Sequence, residues 1–276
     1  MKKSVKNILS ATLRVCALLL VLPLVFGCSS YTEGSRPPEE LPPENDDSIP
    51  VMGGGDQTEP PKKRVALTFD DGPQYANEGK NTQALVDELN KYGFHATFFV
   101  IGNRIGNGKA LTYAVQNGNE IGIHAYTHGS GIYYDDCSDE VYDYEINKTR
   151  DEILSVLPNY NIRLMRPIGG EISPERIQSS PYSIINWDVD SDDWNYRYSP
   201  YESDEESAQK VEAIVENVMS KVRDGSIIMM HDIYQSTYDA AVIIMQRLYE
   251  EGYEVVTVSE LLGDSLAPGH IYHSAY

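Results

Sequence analysis

Short apolar runs alternate with longer amphipathic stretches from residue 65 onward, and this alternation predicts a series of β-strand and α-helix pairs. The first run, residues 65–69, reads as a buried strand that stops at Asp70 and Asp71, before a Gly-Pro turn. Further strands are predicted at 96–100, 120–123, 162–165, 183–187, 226–230 and 254–258. Helices are predicted at 83–92, 110–117, 140–157, 205–223, 239–250 and 259–262.

Polar side chains follow several of these strands at the point where each one ends. Because the carboxyl ends of the strands of a parallel β/α barrel share one face, these side chains should meet around a single site. The fold class predicted is therefore α/β, with a (β/α) barrel arrangement. The residues concerned are Asp70 and Asp71, His124, Arg166, Asp188 and Asp190, and His231.

The two ends of the chain do not share this alternation of apolar runs and amphipathic stretches. Residues 1–27 have a basic start and an apolar run too short to span a bilayer comfortably, as in an export signal. Gly27 and Cys28 after this run resemble a bacterial lipobox, which implies a lipidated Cys28 and an exported protein anchored to the outer face of the cytoplasmic membrane. Residues 28–62 are rich in Pro and Glu and are expected to form a disordered linker. The predicted catalytic domain is 63–263, and 264–276 should be a loose C-terminal tail.

The charge balance limits the partners. The chain has 22 Lys and Arg against 42 Asp and Glu, a formal net charge of −20. Such a surface repels phosphate backbones, so a nucleic-acid partner is not expected. With 3 Cys and no CxxC pair, neither a disulfide framework nor a cysteine-based zinc site is indicated, and Cys137 is interpreted as an incidental thiol.

Two histidines four residues apart, His124 and His128, converge if the segment is a helical turn or a tight loop. Together with one carboxylate of the Asp70-Asp71 pair they would give three ligands and leave positions for water, which is typical of a catalytic metal site. An isolated HxxxH pattern is more often two surface or core histidines. The strand-end placement of three of the 6 histidines favours the metal site.

Hydrolysis at such a site also needs a base and an acid. The two aspartates can divide the work, one binding the metal and the other acting as the base. His231 is the natural acid for protonating an amine leaving group, which suits amide cleavage. Arg166 can pair with a carboxylate, although an arginine in this place could also form an ordinary structural salt bridge.

Five motifs occur in an order that resembles polysaccharide deacetylases of the NodB-homology type, carbohydrate esterase family 4. They lie at residues 68–72 (TFDDG), 124–128 (HxxxH), 166–170 (RPxxG), 190–194 (DSDDW) and 228–231 (IMMH). The resemblance covers about 63–262 and implies a distorted, incomplete (β/α) barrel. It also implies removal of N-acetyl groups from chitin-like or peptidoglycan sugars, or of O-acetyl groups from xylan.

The resemblance assigns roles by motif. It implies Asp70 as the base and His231 as the acid, with Arg166 orienting or tuning the base. The implied metal ligands are Asp71, His124 and His128, and the metal is usually zinc, although cobalt or nickel can occupy such a site. Either Asp190 or Asp193 would support His231.

Three positions depart from the family pattern. Ala125 replaces the usual Ser or Thr of the second motif, and Gly169 replaces the usual aromatic residue of the third, which leaves the wall of the substrate groove open to question. Met229 replaces the usual Leu of the last motif, where an acetyl pocket shared with Trp194 could survive. Tyrosines in the loops 129–145 and 191–201 could stack on sugars, but loop packing is the commoner role.

The predicted function is a monomeric, lipid-anchored hydrolase that removes N-acetyl groups from a polysaccharide, with GlcNAc or MurNAc of peptidoglycan favoured. The nearest enzymatic alternative is an acetyl-xylan or other O-acetyl esterase. The alternative from another class is a non-catalytic, glycan-binding surface lipoprotein. Retention of base, ligands and acid argues against the last reading.

Overall fold

The computed structural model describes residues 62–74, 78–129 and 132–276. Within these residues nine strands form one parallel sheet, accompanied by seven α-helices. The strands are β1 (Lys63–Asp70), β2 (Thr97–Ile101), β3 (Glu120–Ala125), β4 (Leu164–Met165), β5 (Ser183–Ile185), β6 (Val189–Asp190), β7 (Ile227–His231), β8 (Tyr253–Val255) and β9 (Ile271–Tyr272). The helices are α1 (Lys80–Tyr92), α2 (Lys109–Gln116), α3 (Asp139–Val156), α4 (Pro174–Ser179), α5 (Asp204–Met219), α6 (Gln235–Glu250) and α7 (Val258–Leu262).

The sheet is curled but does not close. Its order is β6-β7-β1-β2-β3-β4-β5-β9, and β8 pairs with the first residues of β1. Because β6 and β9 stay at opposite ends of this order, the architecture is an incomplete (β/α) barrel, which confirms the predicted fold class. All strands run the same way, so their carboxyl ends gather on one face.

Strand β1 lies at the centre of the sheet and is covered on both faces. Leu67 and Phe69 belong to the larger apolar cluster, which includes buried residues of the long helices α1, α5 and α6. Ala66 points to the other face, where a smaller cluster with Phe99 is covered by α7. Burial on both sides explains why the central strands read as continuous apolar runs.

The predicted strands and helices exist, and their limits differ by a few residues. The last predicted strand is shortened to Tyr253–Val255, because Thr257 caps the helix that follows: its hydroxyl accepts a hydrogen bond from Glu260 N. The elements β6, α4 and β9 were not predicted. Each has only two to six residues and lies in a stretch with too few apolar residues to predict an element.

The expectation of a loose tail at 264–276 is wrong. Strand β9 pairs with β5, and Tyr276 Oη donates a hydrogen bond to Asp188 Oδ2 over 2.8 Å. The tail therefore completes one edge of the sheet.

The predicted signal segment 1–27, Cys28 and all but the last residue of the predicted linker 28–62 lie outside the described residues. Among the helices that are described, none combines the length and the apolar character needed to cross a bilayer.

Candidate active site

Strands β1 and β7 bring Asp70 and His231 together. The two residues are register partners at the carboxyl ends of neighbouring parallel strands. Asp70 is buried, and the His231 side chain keeps 15% of its surface exposed. The sheet therefore places the predicted base and the predicted acid next to each other at the edge of a cavity.

The turn after β1 holds Asp71 in a conformation that few non-glycine residues adopt, with φ 73°. Arg104 fixes it by donating to the Asp71 carbonyl over 2.8 Å, and Ile101 N donates to the Gly72 carbonyl over 2.8 Å. A side chain on Gly72 is excluded, because its Cβ would lie 2.2 Å from Asp232 Oδ1. The turn thus needs glycine for a steric reason.

His124 is directed into the site by an irregularity in β3. The pairing with β2 passes from Val100–Ile123 to Ile101–Ala125 and skips His124, as a β-bulge does. His124 Nδ1 lies 2.8 Å from the Arg166 carbonyl, which can only accept, so Nδ1 carries the proton and Nε2 presents its lone pair. His128 follows in a tight turn with φ 50°. The segment is thus a strand end and a loop, and not a helical turn.

The three predicted ligands fit a small cation. One ligand atom from each of Asp71, His124 and His128 lies within 4.8 Å of the others. Asp71 Oδ1 is 3.5 Å from His124 Nε2 and 3.6 Å from His128 Nε2. Ligands around a tetrahedral zinc, each about 2 Å from the ion, are about 3.3 Å apart. Asp71 Oδ1 is also buried without a hydrogen-bond partner among the described residues, as expected for an atom that faces a cation.

The protonation states agree with metal binding. Burial by itself would raise the pKa of Asp71, but the charges of His124, His128, His231 and Arg104 outweigh it and lower that pKa. Burial lowers the pKa of His124 despite the neighbouring aspartates. A carboxylate and a neutral imidazole are the forms that bind metals.

Arg166 is completely buried and satisfies its guanidinium inside the barrel. Nη1 donates to Asp70 Oδ1 over 2.9 Å and to Thr68 Oγ1 over 2.7 Å. Nε and Nη2 donate to the carbonyls of Ile185 and Asn186 over 2.9 and 3.1 Å. The side chain therefore fixes one oxygen of Asp70, while its charge offsets that of the buried carboxylate.

His231 is held by Asp193 and not by Asp190. Its Nδ1 lies 2.7 Å from Asp193 Oδ1, while Asp193 Oδ2 accepts from His231 N over 2.8 Å and from the Thr237 hydroxyl over 2.5 Å. Burial would lower the pKa of His231, but its hydrogen bond to Asp193 and the charges of Asp193, Asp70 and Asp71 raise that pKa to about 9. The imidazole is then a cation at neutral pH.

Asp190 and Asp188 have other places. Asp190 lines the cavity, and its Oδ1 accepts from Asp192 N over 2.8 Å. Asp188 precedes β6 and accepts from Ile227 N, the first residue of β7, over 2.8 Å. Since parallel strands start at the face opposite their carboxyl ends, Asp188 is not part of the site.

The groups described above surround a cavity of about 400 Å³. Tyr133 and the half-exposed Trp194 contribute aromatic surface, and Met229 and Ile168 contribute aliphatic surface. Tyr133 lies over Gly169, where an added Cβ would be 3.3 Å from the ring. Tyr133 therefore supplies the aromatic wall at the position where the chain has glycine. The lining residues are Asp70, Asp71, His124, His128, Tyr133, Ile168, Gly169, Trp187, Asp190, Trp194, Met229, His231 and Tyr234.

A larger cavity of about 600 Å³ lies between residues 195–202 and α5, and it carries no comparable chemistry. Its charged side chains already have partners: Lys210 donates to Glu202, and Glu206 forms a capping box with Ser203 at the start of α5. Size alone does not identify the site.

Sequence reasoning missed several supporting residues, among them Arg104, which bonds to the Asp71 carbonyl. Thr237 bonds to Asp193, the Asp232 carboxylate occupies the space where a side chain on Gly72 would lie, and Glu145 bonds to the segment before His128. Only Glu145 had a usable signal, a carboxylate in the buried stripe of α3. Burial raises the pKa of Asp232 to about 7, in spite of its hydrogen bond from Thr82.

Comparisons of the sequence with known proteins all find deacetylases. The family model for polysaccharide deacetylases matches residues 57–181. The chain is similar to peptidoglycan-N-acetylmuramic acid deacetylase PdaC of Bacillus subtilis, with 36% identity over 204 residues, 74% of this chain and 39% of PdaC. It is also similar to peptidoglycan-N-acetylglucosamine deacetylase PgdA of Listeria monocytogenes, with 31% identity over 211 residues, 76% of this chain and 41% of PgdA. The chain thus spans about two fifths of the length of these relatives.

Solved structures of similar enzymes have the same fold. A structure of Bacillus subtilis PdaC matches with a TM-score of 0.61 and 35% identity, covering 72% of this chain and 90% of that structure. A family 4 acetyl xylan esterase from Clostridium thermocellum, in complex with a cobalt ion, matches with a TM-score of 0.63 and 29% identity, covering 77% of this chain and 98% of that structure.

Proposed function

This chain belongs to the polysaccharide deacetylase family, and from that membership we propose that it is a metal-dependent hydrolase that removes N-acetyl groups from peptidoglycan sugars. The observation that carries the proposal is one cavity containing an Asp-His-His cluster, a second aspartate and a cationic histidine. The two similar curated proteins act on N-acetylmuramic acid and N-acetylglucosamine, so either sugar is a candidate substrate.

We propose a division of labour between Asp70 and His231. Asp70 would accept a proton from the attacking water, while Arg166 holds its carboxylate in place. His231, kept protonated by Asp193, would donate a proton to the departing amine of the sugar. An amide nitrogen leaves poorly unless it is protonated, which explains the need for an acid opposite the base.

Asp71, His124 and His128 would hold the metal, which we propose to be zinc. When bound, it would polarise the acetyl carbonyl and lower the pKa of water. The cobalt ion of the similar acetyl xylan esterase shows that a family member accepts another divalent cation, so cobalt or nickel could support activity here too.

The walls of the cavity would recognise the acetylated sugar. Trp194 and Met229 offer apolar surface that would contact the acetyl methyl group, and Tyr133 over Gly169 offers a ring face for the sugar. Peptidoglycan is a neutral-to-acidic glycan outside the cytoplasm, so the enzyme should be exported.

We also propose a lipid anchor at Cys28 after removal of residues 1–27, with 28–62 as a spacer between the membrane and the catalytic domain at 63–263. The signal-like start and the Gly27-Cys28 junction support this proposal. A Cys28→Ser variant should lose incorporation of a labelled fatty acid and leave the membrane fraction. A variant that keeps both would refute the anchor without affecting the proposed reaction.

The reaction is tested by acetate release from N-acetylated peptidoglycan and from chitooligosaccharides by the zinc-loaded protein. Wild type should release acetate, and Asp70→Asn and His231→Ala should each lose at least about a hundredfold in rate. Mass shifts in the digested glycan identify the sugar that lost its acetyl group. If wild type and both variants are equally inactive on every substrate, the proposal fails.

The similarity to an acetyl xylan esterase makes O-deacetylation the second candidate. Acetylxylan in the same assay separates the two, because an O-acetyl esterase should prefer it strongly over N-acetyl oligosaccharides. Binding of glycan without turnover of any substrate would instead indicate a non-catalytic glycan-binding protein.

A further inference from the structure

Helix α3 directs a buried carboxylate at the loop that carries His128. Glu145 is 2% exposed, and its Oε2 accepts hydrogen bonds from Tyr126 N over 2.7 Å and from Thr127 N over 2.8 Å. Its Oε1 accepts from the Thr127 hydroxyl over 2.6 Å. Both oxygens are therefore used on the two residues that precede His128.

This loop segment decides where His128 lies. His124 is oriented by its own hydrogen bond to Arg166, whereas the polar contact of the His128 ring among the described residues is Asp71, at 3.6 Å. His128 also has a positive φ of 50°, which costs free energy for a residue with a side chain and persists only where the surroundings impose it. Beside the ring contact with His124, at 5.3 Å between centroids, the backbone at Tyr126 and Thr127 thus restrains His128.

Glu145 can hold residues 126–127 in place because its helix, α3, is anchored in the core. Ile146 and Ile153 of α3 are buried in the larger apolar cluster, and the Thr149 hydroxyl donates to the Glu145 carbonyl over 2.7 Å. From the other side, Asn103 N donates to the Tyr126 carbonyl over 3.1 Å. The loop is therefore held between α3 and the turn after β2.

The bonds of Glu145 are directional. No lysine or arginine in the described ranges forms an ion pair with Glu145, and its three donors are neutral. A buried carboxylate is stable only while such bonds are kept, so movement of the loop would leave it unsatisfied. The cost of that desolvated charge opposes any displacement of the segment.

We infer that Glu145 is a positioning residue for the metal site, which fixes residues 126–127 so that His128 Nε2 faces Asp71. The inference rests on the metal site proposed above. Removing a residue that hydrogen-bonds a metal ligand weakens metal affinity by about 10–100-fold. Glu145 acts on His128 less directly, through the backbone of residues 126–127.

The test is the affinity of the full-length protein for Co²⁺, measured by competition with a chromophoric chelator, together with the melting temperature of the metal-free protein. Glu145→Ala should bind Co²⁺ about tenfold more weakly. Glu145→Gln should bind Co²⁺ as wild type does, since its amide oxygen can accept both N–H groups and its amide N–H can donate to the Thr127 hydroxyl. Asp143→Ala, an exposed carboxylate on the same helix, is the matched control and should bind as wild type does.

The outcomes separate this inference from the proposed metal site. If wild type binds no Co²⁺, the metal site itself fails. If wild type binds Co²⁺ and folded Glu145→Ala binds it equally well, even with a lower melting temperature, Glu145 is only structural and the inference is overturned. If Glu145→Ala does not fold, Thr127→Val decides: a weaker affinity of about threefold supports the inference, and an unchanged affinity overturns it.

Discussion

At the scale of single residues, the most informative pair is His231 and Asp193. The imidazole bonds to one carboxylate oxygen, and its own backbone N–H bonds to the other. The geometry therefore fixes the ring and raises its pKa to about 9 at the same time. An acid prepared in this way suits an amine leaving group.

The Asp193→Asn variant should lose activity at lower pH than wild type. An acid must be protonated, so the rate falls as pH rises through the pKa of His231, which is about 9 without a bound cation and lower with one. Removing the charge of Asp193 removes the main cause that raises this pKa, and the alkaline limb of kcat/KM should move down in pH. The control is Asp192→Asn, the neighbouring residue, which should leave the alkaline limb of the kcat/KM profile unchanged. If Asp193→Asn and wild type have the same alkaline limb, His231 is not the acid.

The Tyr133 ring over Gly169 should contribute mainly to substrate binding. Tyr133→Ala removes one aromatic wall of the cavity, so KM should rise about tenfold with a smaller change in kcat. Tyr201→Ala is the control, because Tyr201 is 95% exposed and does not line this cavity. Unchanged KM in Tyr133→Ala would remove Tyr133 from the substrate wall.

At the scale of elements, the ends of the strands and the turns after them place the chemistry. The bulge in β3 turns His124 toward Asp71, and the register of β1 with β7 sets Asp70 beside His231. These placements are rigid because the flanking strand residues are fully buried. The positions of the proposed catalytic groups are therefore set mainly by the backbone.

The C-terminal tail should stabilise the sheet edge. Asn186 N donates to the Tyr272 carbonyl over 2.8 Å, and Tyr276 bonds to Asp188. Truncation after His270 removes these two bonds and several others, among them the bond from Ala275 N to the Gly225 carbonyl, and it exposes apolar surface. It should cost at least about 2 kcal/mol of unfolding free energy. The melting temperature should fall by about 4–8 °C.

Tyr276→Phe, which removes only one hydroxyl of the tail, should lower the unfolding free energy by about 1 kcal/mol. Its effect should therefore be smaller than that of the truncation. If the truncated protein has the same melting temperature as wild type, the tail contributes nothing to stability.

At the scale of the whole molecule, metal binding should couple to folding, because the three proposed ligands come from the turn after β1, from β3 and from the loop after β3. Zinc at a hundred times its Kd should add about 2.7 kcal/mol to the unfolding free energy and raise the melting temperature by about 5–10 °C. His128→Ala should abolish this rise, while the metal-free variant melts close to wild type since His128 is partly exposed. A rise of equal size in His128→Ala would place the cation elsewhere.

Much of the architecture was predictable, because apolar periodicity reports burial directly. The helices α1, α3 and α5 follow from their periodicity and β7 from its continuous apolar run, and strand-end polar residues indicated one face of the sheet. The short elements β6, α4 and β9 were missed, because they contain too few apolar positions and because β9 is stabilised by a distant partner, β5.

The sequence by itself determined the fold class and the residues that could do the chemistry, because these depend on local pattern and on motif spacing along one chain. Only the tertiary structure decided between Asp190 and Asp193, placed Tyr133 over Gly169, and brought Glu145 to the His128 loop. Each of these contacts joins residues from different parts of the chain that meet only in the folded domain. Their hydrogen bonds depend on side-chain direction, and that direction is fixed by packing in three dimensions.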